Sequence, residues 1–327
     1  MSDVGRLAGV SHQTVSRVIN GSPHVRPETR TRVLAAMEEL GYRPNSVARA
    51  LVTGRSRTLG VVSFDTTLYG PASTLFGIEQ AAHEAGYFII VASLKALNRS
   101  SVTDAVERLR RQGVDGILVI APQDEAGDAL LHTHADVPLV AVEAGPDEGV
   151  PVVAVDQVGG AVSATEHLLS LGHETVGHIS GPPNFIESRL RMEGWRTTLQ
   201  NAGVAIPEPL VGDWSPRAGY ELGRRLSLER AITAVFVAND QMALGLLRAM
   251  HEAGRNVPGE LSVVGFDDIP EAAFFLPPLT TVRQDFNEMG TRSLRLLLRT
   301  LETGESATSG TLVPPELIIR ASTSAAP

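Results

Sequence analysis

Short apolar runs separated by helical stretches recur along most of this chain, and that rhythm constrains its fold more than any other feature. Leu59–Ser63, Phe88–Ala92, Gly116–Ala121 and Pro138–Val142 form a first group, and Val152–Val155, Val176–Ile179, Ala234–Val237 and Leu261–Gly265 continue it. Helical stretches between the later runs end near Leu171, Asn201 and Glu252. Runs this short and this apolar read as strands buried on both faces. Their alternation with helices predicts parallel sheets flanked by helices, an α/β class of fold. A chain of 327 residues fits two such lobes with a cleft between them better than one sheet.

The first 43 residues follow a different pattern, that of three short helices. Asp3–Ala8 leads into the turn Gly9-Val10-Ser11. Ser11 is a good N-cap for a helix over His12–Val18, which stops at Asn20-Gly21. Pro27 takes a first helical position with Glu28 in the first turn, Val33, Leu34, Met37 and Leu40 form one apolar stripe, and Gly41 ends the segment. Helix, three-residue turn and second helix is the plan of a DNA-reading helix-turn-helix. The second helix carries His12, Gln13, Thr14, Ser16 and Arg17, the donors and acceptors a major-groove reader needs. Gln13 suits adenine and Arg17 suits guanine or phosphate. Four residues apart, they share one helix face. Ser11 and Thr14 can hold phosphates. The residues alone leave open a plain amphipathic three-helix unit with solvent-facing polar groups.

Charge is unevenly spread. The chain carries a formal −9. Up to Thr58, nine arginines face four carboxylates, a formal +5 that leaves −14 on the remainder. A basic arm on an acidic body suits contact with phosphates through the arm alone.

The string Ala8-Gly9-Val10-Ser11-His12-Gln13-Thr14-Val15-Ser16-Arg17-Val18-Ile19-Asn20 resembles the headpiece of the LacI/GalR family of transcription regulators. Gly41-Tyr42-Arg43-Pro44-Asn45 followed by Ala48-Arg49-Ala50-Leu51 resembles that family's hinge. The resemblance implies DNA contacts from the helix-turn-helix residues named above together with Asn20, Asn45 and Ala48, and an apolar wedge, Leu51, entering the minor groove. It implies a headpiece over 1–43, a hinge and linker over 44–58, and a two-lobe core over 59–327, of the kind found in periplasmic binding proteins. The chain would exchange lobes near 155–157 and 283–286. Against the family pattern, Ser2 stands in the first cap position, and Gly5 replaces an alanine at a cost of up to about 1 kcal/mol of helix propensity.

The resemblance extends to about Arg320. It rests on Glu187–Trp195, Gly212-Asp213-Trp214-Ser215, Val237–Gly245, Val264–Asp268 and Pro277–Phe286, and is strongest to the lactose-responsive branch. It places Arg191, Trp214, Asn239, Asp267 and Phe286 at the inter-lobe cleft. These are suitable groups for a sugar: a guanidinium fork, an amide, an acceptor-only carboxylate and two aromatic plates. Leu68, Pro71, Glu143, Val155 and Gln284 match further ligand-facing positions. Glu143 and Val155 stand where Asp and Phe are expected, which alters the pocket. Each has a plainer reading: Asn239 as a helix cap, Asp267 as a local partner, Arg191 as a surface ion pair with Glu187, Trp214 and Phe286 as core. Trp195 reads as packing.

The expectation is a repressor whose hold on a palindromic operator is controlled by a small neutral, galactoside-like sugar or glycoside. The alternative effectors are a nucleobase or a phosphorylated metabolite, and the rival of another class is a sugar receptor with no DNA role. No catalytic motif stands out: there is no phosphate-binding loop, His-Glu-x-x-His or Gly-x-Ser-x-Gly, and neither cofactor nor metal is expected. With no cysteine, no long apolar run and no leader-like start, a cytoplasmic protein without a membrane partner is expected. The absence of leucine heptads after Arg320 predicts a homodimer.

Overall fold

A computed structural model describes residues 1–19, 22–42, 54–94, 98–123, 136–145, 150–305 and 310–327. The chain divides into two compact units, Met1–Ser56 and Arg57–Pro327.

The first unit contains α1 (Ser2–Ala8), α2 (His12–Ile19) and α3 (Pro27–Glu39). Val4, Ala8, Val15, Val18, Val33 and Ala36 form its core. The N-cap of α1 is Met1, without a side-chain cap, and not Ser2, which is the first helical residue. The stripe on α3 is narrower than the sequence predicts. Leu34 and Leu40 are exposed, and Ala36 lies inward beside Val33, because so small a unit has core volume for only a few side chains. Gly5 has a packing reason: a Cβ there would meet the Val10 carbonyl oxygen at 2.9 Å. Its absence lets the turn fold back, where the Val10 N–H donates to the Gly5 carbonyl.

The second unit is built from β1 (Thr58–Phe64), α4 (Tyr69–Glu84), β2 (Phe88–Leu94), α5 (Arg99–Arg111), β3 (Gly116–Ile120), β4 (Leu139–Val142), β5 (Val152–Val155), α6 (Gln157–Ser170), β6 (Gly177–Ser180) and α7 (Ile186–Ala202). It continues with β7 (Leu210–Val211), α8 (Pro216–Leu226), β8 (Ala234–Val237), α9 (Asp240–Glu252), β9 (Ser262–Asp267), a short 3-10 turn, β10 (Thr280–Arg283), α10 (Phe286–Thr303), β11 (Thr311–Val313) and β12 (Glu316–Ile318). Among the described residues these strands make two six-stranded sheets, in the orders β11-β5-β4-β3-β1-β2 and β12-β10-β9-β8-β6-β7. All pairs are parallel except β10 with β12.

Both sheets are covered on both faces. In the first lobe, Leu59, Val61, Leu118, Val140 and Val153 pack under α4 and α10, while Val62, Ile117 and Val119 meet Val102, Val106 and Leu109 of α5. In the second, Phe236, Val264 and Phe266 pack against Leu168, Trp195 and Leu199. Phe88–Leu94 forms a strand but not a buried one. At the sheet edge it leaves Phe88 77% exposed. The chain changes lobe between β5 and α6 and between β10 and α10, and a third time at Pro314-Pro315, between β11 and β12. Two crossings were expected from the sequence. The third was hidden because β11 and β12 are only three residues each.

One contact locks the first lobe. A Cβ on Gly77 would lie 2.2 Å from the Phe286 carbonyl oxygen, and one on Gly290 would lie 2.2 Å from the backbone of Gly77. The helices α4 and α10 therefore touch backbone to backbone, which fixes Phe286 against α4.

Candidate functional site

In the small unit, burial of Val15 and Val18 turns the opposite side of α2 outward, so Ser11, His12, Gln13 and Arg17 are exposed and Thr14 and Ser16 half-buried. Ser11 caps the helix: its Oγ accepts from the Thr14 backbone N–H at 3.2 Å and lies 3.0 Å from the Thr14 hydroxyl. Gly9, with φ 64°, closes α1 in the left-handed conformation, which glycine adopts without steric cost. The sequence-predicted DNA-contacting residues Asn20, Asn45, Ala48 and Leu51 lie outside the described residues.

The large unit holds a cavity of about 260 Å³ between its lobes, near the lower end for small-molecule sites. Leu68, Tyr69 and Pro71 at the start of α4, Glu143 after β4 and Phe286 at the head of α10 line it from the first lobe. Glu187 and Arg191 of α7, Trp214, Asn239 and Asp267 line it from the second, and Gln157 and Gln284 come from two of the three crossings. Such a site, at the carboxyl ends of parallel strands, is where open α/β sheets bind ligands.

Arg191 is buried, not in a surface pair with Glu187. Its Nε donates to Gln157 Oε1 at 2.8 Å and its Nη1 to the Ala238 carbonyl. Its guanidinium lies 3.8 Å from the centre of the Phe266 ring, a cation–π arrangement. Gln157 Nε2 donates to Gln284 Oε1 at 3.0 Å, and Gln284 Nε2 to Asp267 Oδ1 at 2.7 Å. Arg191 Nη1, 3.6 Å from Asp267 Oδ1, closes a ring of four side chains. The Asn239 side chain does cap α9, accepting from the Met242 N–H at 3.0 Å. It also donates to the Trp214 carbonyl at 3.1 Å while facing the cavity. Phe286 meets Tyr69 edge-on at 5.8 Å, and Trp214 meets Phe185 in the same way at 5.7 Å.

Three residues of the lining hold strained backbone: Glu143 at φ 61°, Trp214 at φ 72° and Asp267 at φ 105°. Non-glycine residues in this region persist where the surroundings over-determine them, most often at functional sites. Burial pushes the Glu143 carboxyl up to about 8, with the nearby Glu187 adding to the shift. Burial likewise pushes Glu187 up to about 7. Asp267 rises to about 6 through burial, opposed by Arg191 and by the Gln284 hydrogen bond.

Of the sequence-predicted ligand residues, the cavity gathers all but one. Val155 does not line it. At 1% exposure it packs with Val153 and Phe286 in the sheet core, because its position on β5 turns it under α10. Trp195 is packing, its Nε1 donating to the Val176 carbonyl at 2.9 Å. Sequence reasoning missed Glu187, Gln157 and Tyr69 as lining residues. Glu187 sits one helical turn before Arg191, a spacing that places it on the same face.

Comparison with known proteins agrees with this architecture. Residues 1–45 match the model for bacterial regulatory proteins of the lacI family, and residues 165–323 that for a periplasmic binding protein-like domain. The chain is 35% identical to the lactose operon repressor of Escherichia coli (strain K12), over 98% of this chain and 89% of that one. It is 34% identical to the HTH-type transcriptional repressor PurR of Haemophilus influenzae, over 98% of each. A crystal structure of the lac repressor dimer bound to operator and the anti-inducer ONPF superposes with a TM-score of 0.87 at 34% identity, covering 99% of this chain and 98% of that one. No helix among the described residues is long and apolar enough to cross a membrane. By sequence over nearly its whole length and by fold, this chain belongs to the LacI family of bacterial regulatory proteins and is a DNA-binding transcriptional repressor.

Proposed function

We propose that this repressor is controlled by a small sugar or glycoside held between its lobes. The observation that carries this reading is the cavity itself: a hydrogen-bonded ring of Arg191, Gln157, Gln284 and Asp267 beside the flat faces of Trp214, Phe286 and Tyr69. A sugar presents hydroxyls on its rim and C–H groups on its faces, and this lining offers partners for both. Galactosides are the first class to test. On this reading a cytoplasmic homodimer holds a palindromic operator through Gln13 and Arg17, with Leu51 as the minor-groove wedge. The effector binds the two arrangements of the lobes with different affinity and so shifts operator affinity.

The test is a thermal-unfolding screen of the purified full-length protein against galactosides, glucosides, xylosides, purines and sugar phosphates. A ligand that binds the folded state raises the midpoint with concentration. A rise with a glycoside class supports the sugar reading. A rise with purines alone, the arm that the PurR likeness favours, replaces it with a nucleobase effector.

A further inference from the structure

We infer that the cleft is built for a sugar carrying a protonated amine, with Glu143 and Glu187 as paired carboxylates on the ammonium group. This rests on the reading that the cavity takes a sugar.

The charges that face the cavity do not balance. Glu143 and Glu187 enter from opposite lobes, and Asp267 and Asp213 also line the space. The one guanidinium in the lining is Arg191. Its Nε and Nη1 donate to Gln157 and the Ala238 carbonyl, its plane covers Phe266, and its single positive charge is shared among Asp267, Glu187 and Glu143. Asp213 stands at the exposed rim, held low by the hydroxyl and N–H of Ser215. Asp240, behind Asp267, accepts from Thr281 and the Ile269 N–H. Glu143 has Gln157 as a nearby donor. Among the described residues Glu187 has no hydrogen bond or ion pair of its own. Burial first, and for Glu143 the nearby Glu187 as well, hold both carboxyls above the ordinary glutamate range, which favours a proton on each when no other cation faces them. A proton is the smallest cation that restores the balance, and a ligand ammonium group would displace it.

Tyr69, Phe286 and Trp214 present ring surfaces beside the carboxylates, and aromatic faces attract ammonium groups. The Trp214 indole N–H is buried without a partner among the described residues. Asn239 and Gln284, which also line the space, supply amide partners for the hydroxyls that a simple amine lacks and a sugar carries. A phosphorylated or carboxylated metabolite would place its charge beside Asp213 and Asp267 and could form no ion pair with the protonated glutamates, with Nε and Nη1 of Arg191 already engaged, and is disfavoured.

The experiment is titration calorimetry of the full-length protein at pH 7 with matched sets on galactose and glucose frames: the neutral methyl glycoside, its 2-amino-2-deoxy and 6-amino-6-deoxy counterparts, and their N-acetyl derivatives. Hypoxanthine and a hexose phosphate complete the panel. The expected result is an amino member that binds at least about tenfold more tightly than its neutral parent. Protons should be released on binding, read as a heat that depends on the buffer's ionisation enthalpy. Glu187→Gln and, independently, Glu143→Gln should shrink the amine preference. A neutral or N-acetyl sugar that binds as tightly as its amino counterpart overturns this inference and leaves the sugar reading standing. Binding by hypoxanthine or the phosphate alone, or by no member of the panel, overturns both.

Discussion

Arg191 and Asp267 sit 3.6 Å apart, both buried, and their contact closes a ring whose other two members, Gln157 and Gln284, stand on the crossings between the lobes. Arg191→Ala removes the charge facing Asp267 and the donor facing Gln157. An uncompensated buried charge of this kind costs about 3–5 kcal/mol, somewhat less here because the cavity admits water. The variant is expected to unfold at lower denaturant concentration, to retain operator binding and to lose its response to effector. Operator binding measured with and without effector checks this, and a variant that answers effector normally contradicts it.

The two raised glutamates make stability depend on pH with a definite sign. Between the ordinary glutamate value of 4.5 and about 7 for Glu187 or about 8 for Glu143, the folded chain holds protons that the unfolded chain has lost. Stability must then fall as pH rises through that window. His178, pushed down to about 4 by burial, has the opposite slope, but only below its ordinary 6.5. Between pH 6.5 and pH 8 the unliganded protein should therefore lose stability, by up to about 1 kcal/mol per pH unit. Glu143→Gln should flatten the decline, which denaturant unfolding at the two ends of the range will read.

On α2, the exposed pair Gln13 and Arg17 should act on operator affinity alone. Gln13→Ala and Arg17→Ala are each expected to cost about 1–3 kcal/mol of specific binding, with the effector-induced rise in melting temperature unchanged. Mobility-shift titration against a matched and a scrambled site separates lost base reading from lost phosphate contact.

Gly77→Ala should disturb the aromatic wall of the cleft from a distance. The added methyl would meet the Phe286 carbonyl at 2.2 Å, a backbone collision that only helix separation relieves. A cost of about 1–3 kcal/mol is expected, together with weaker effector binding from displacement of Phe286. Calorimetry on the purified variant provides the check.

Much of this was legible in the sequence because strand and helix periods are local. The runs at Leu59, Gly116, Val152 and Ala234 become β1, β3, β5 and β8, and Ser11 caps α2 as its position implies. What escaped depends on neighbours distant in the chain. Phe88 reads as core until its strand is found at the sheet edge. Val155 reads as pocket by likeness, yet the sheet turns it inward. The ring through Gln157 and Gln284 joins side chains 127 residues apart, and no local pattern announces such a pairing. Glu187 reads as the partner of Arg191 in a surface ion pair until the cavity is seen.

Translation runs from the N-terminal side of a chain to its C-terminal side, so the order of these parts becomes an order in time. The α1–α3 unit is complete by Tyr42, whereas the first lobe awaits α10 and β11 and the second awaits β12, ending at Ile318. At about 5–20 residues per second, the DNA reader leaves the ribosome some tens of seconds before either lobe can close. During that interval a nascent chain carries a folded helix-turn-helix unit and an effector cleft that has yet to form.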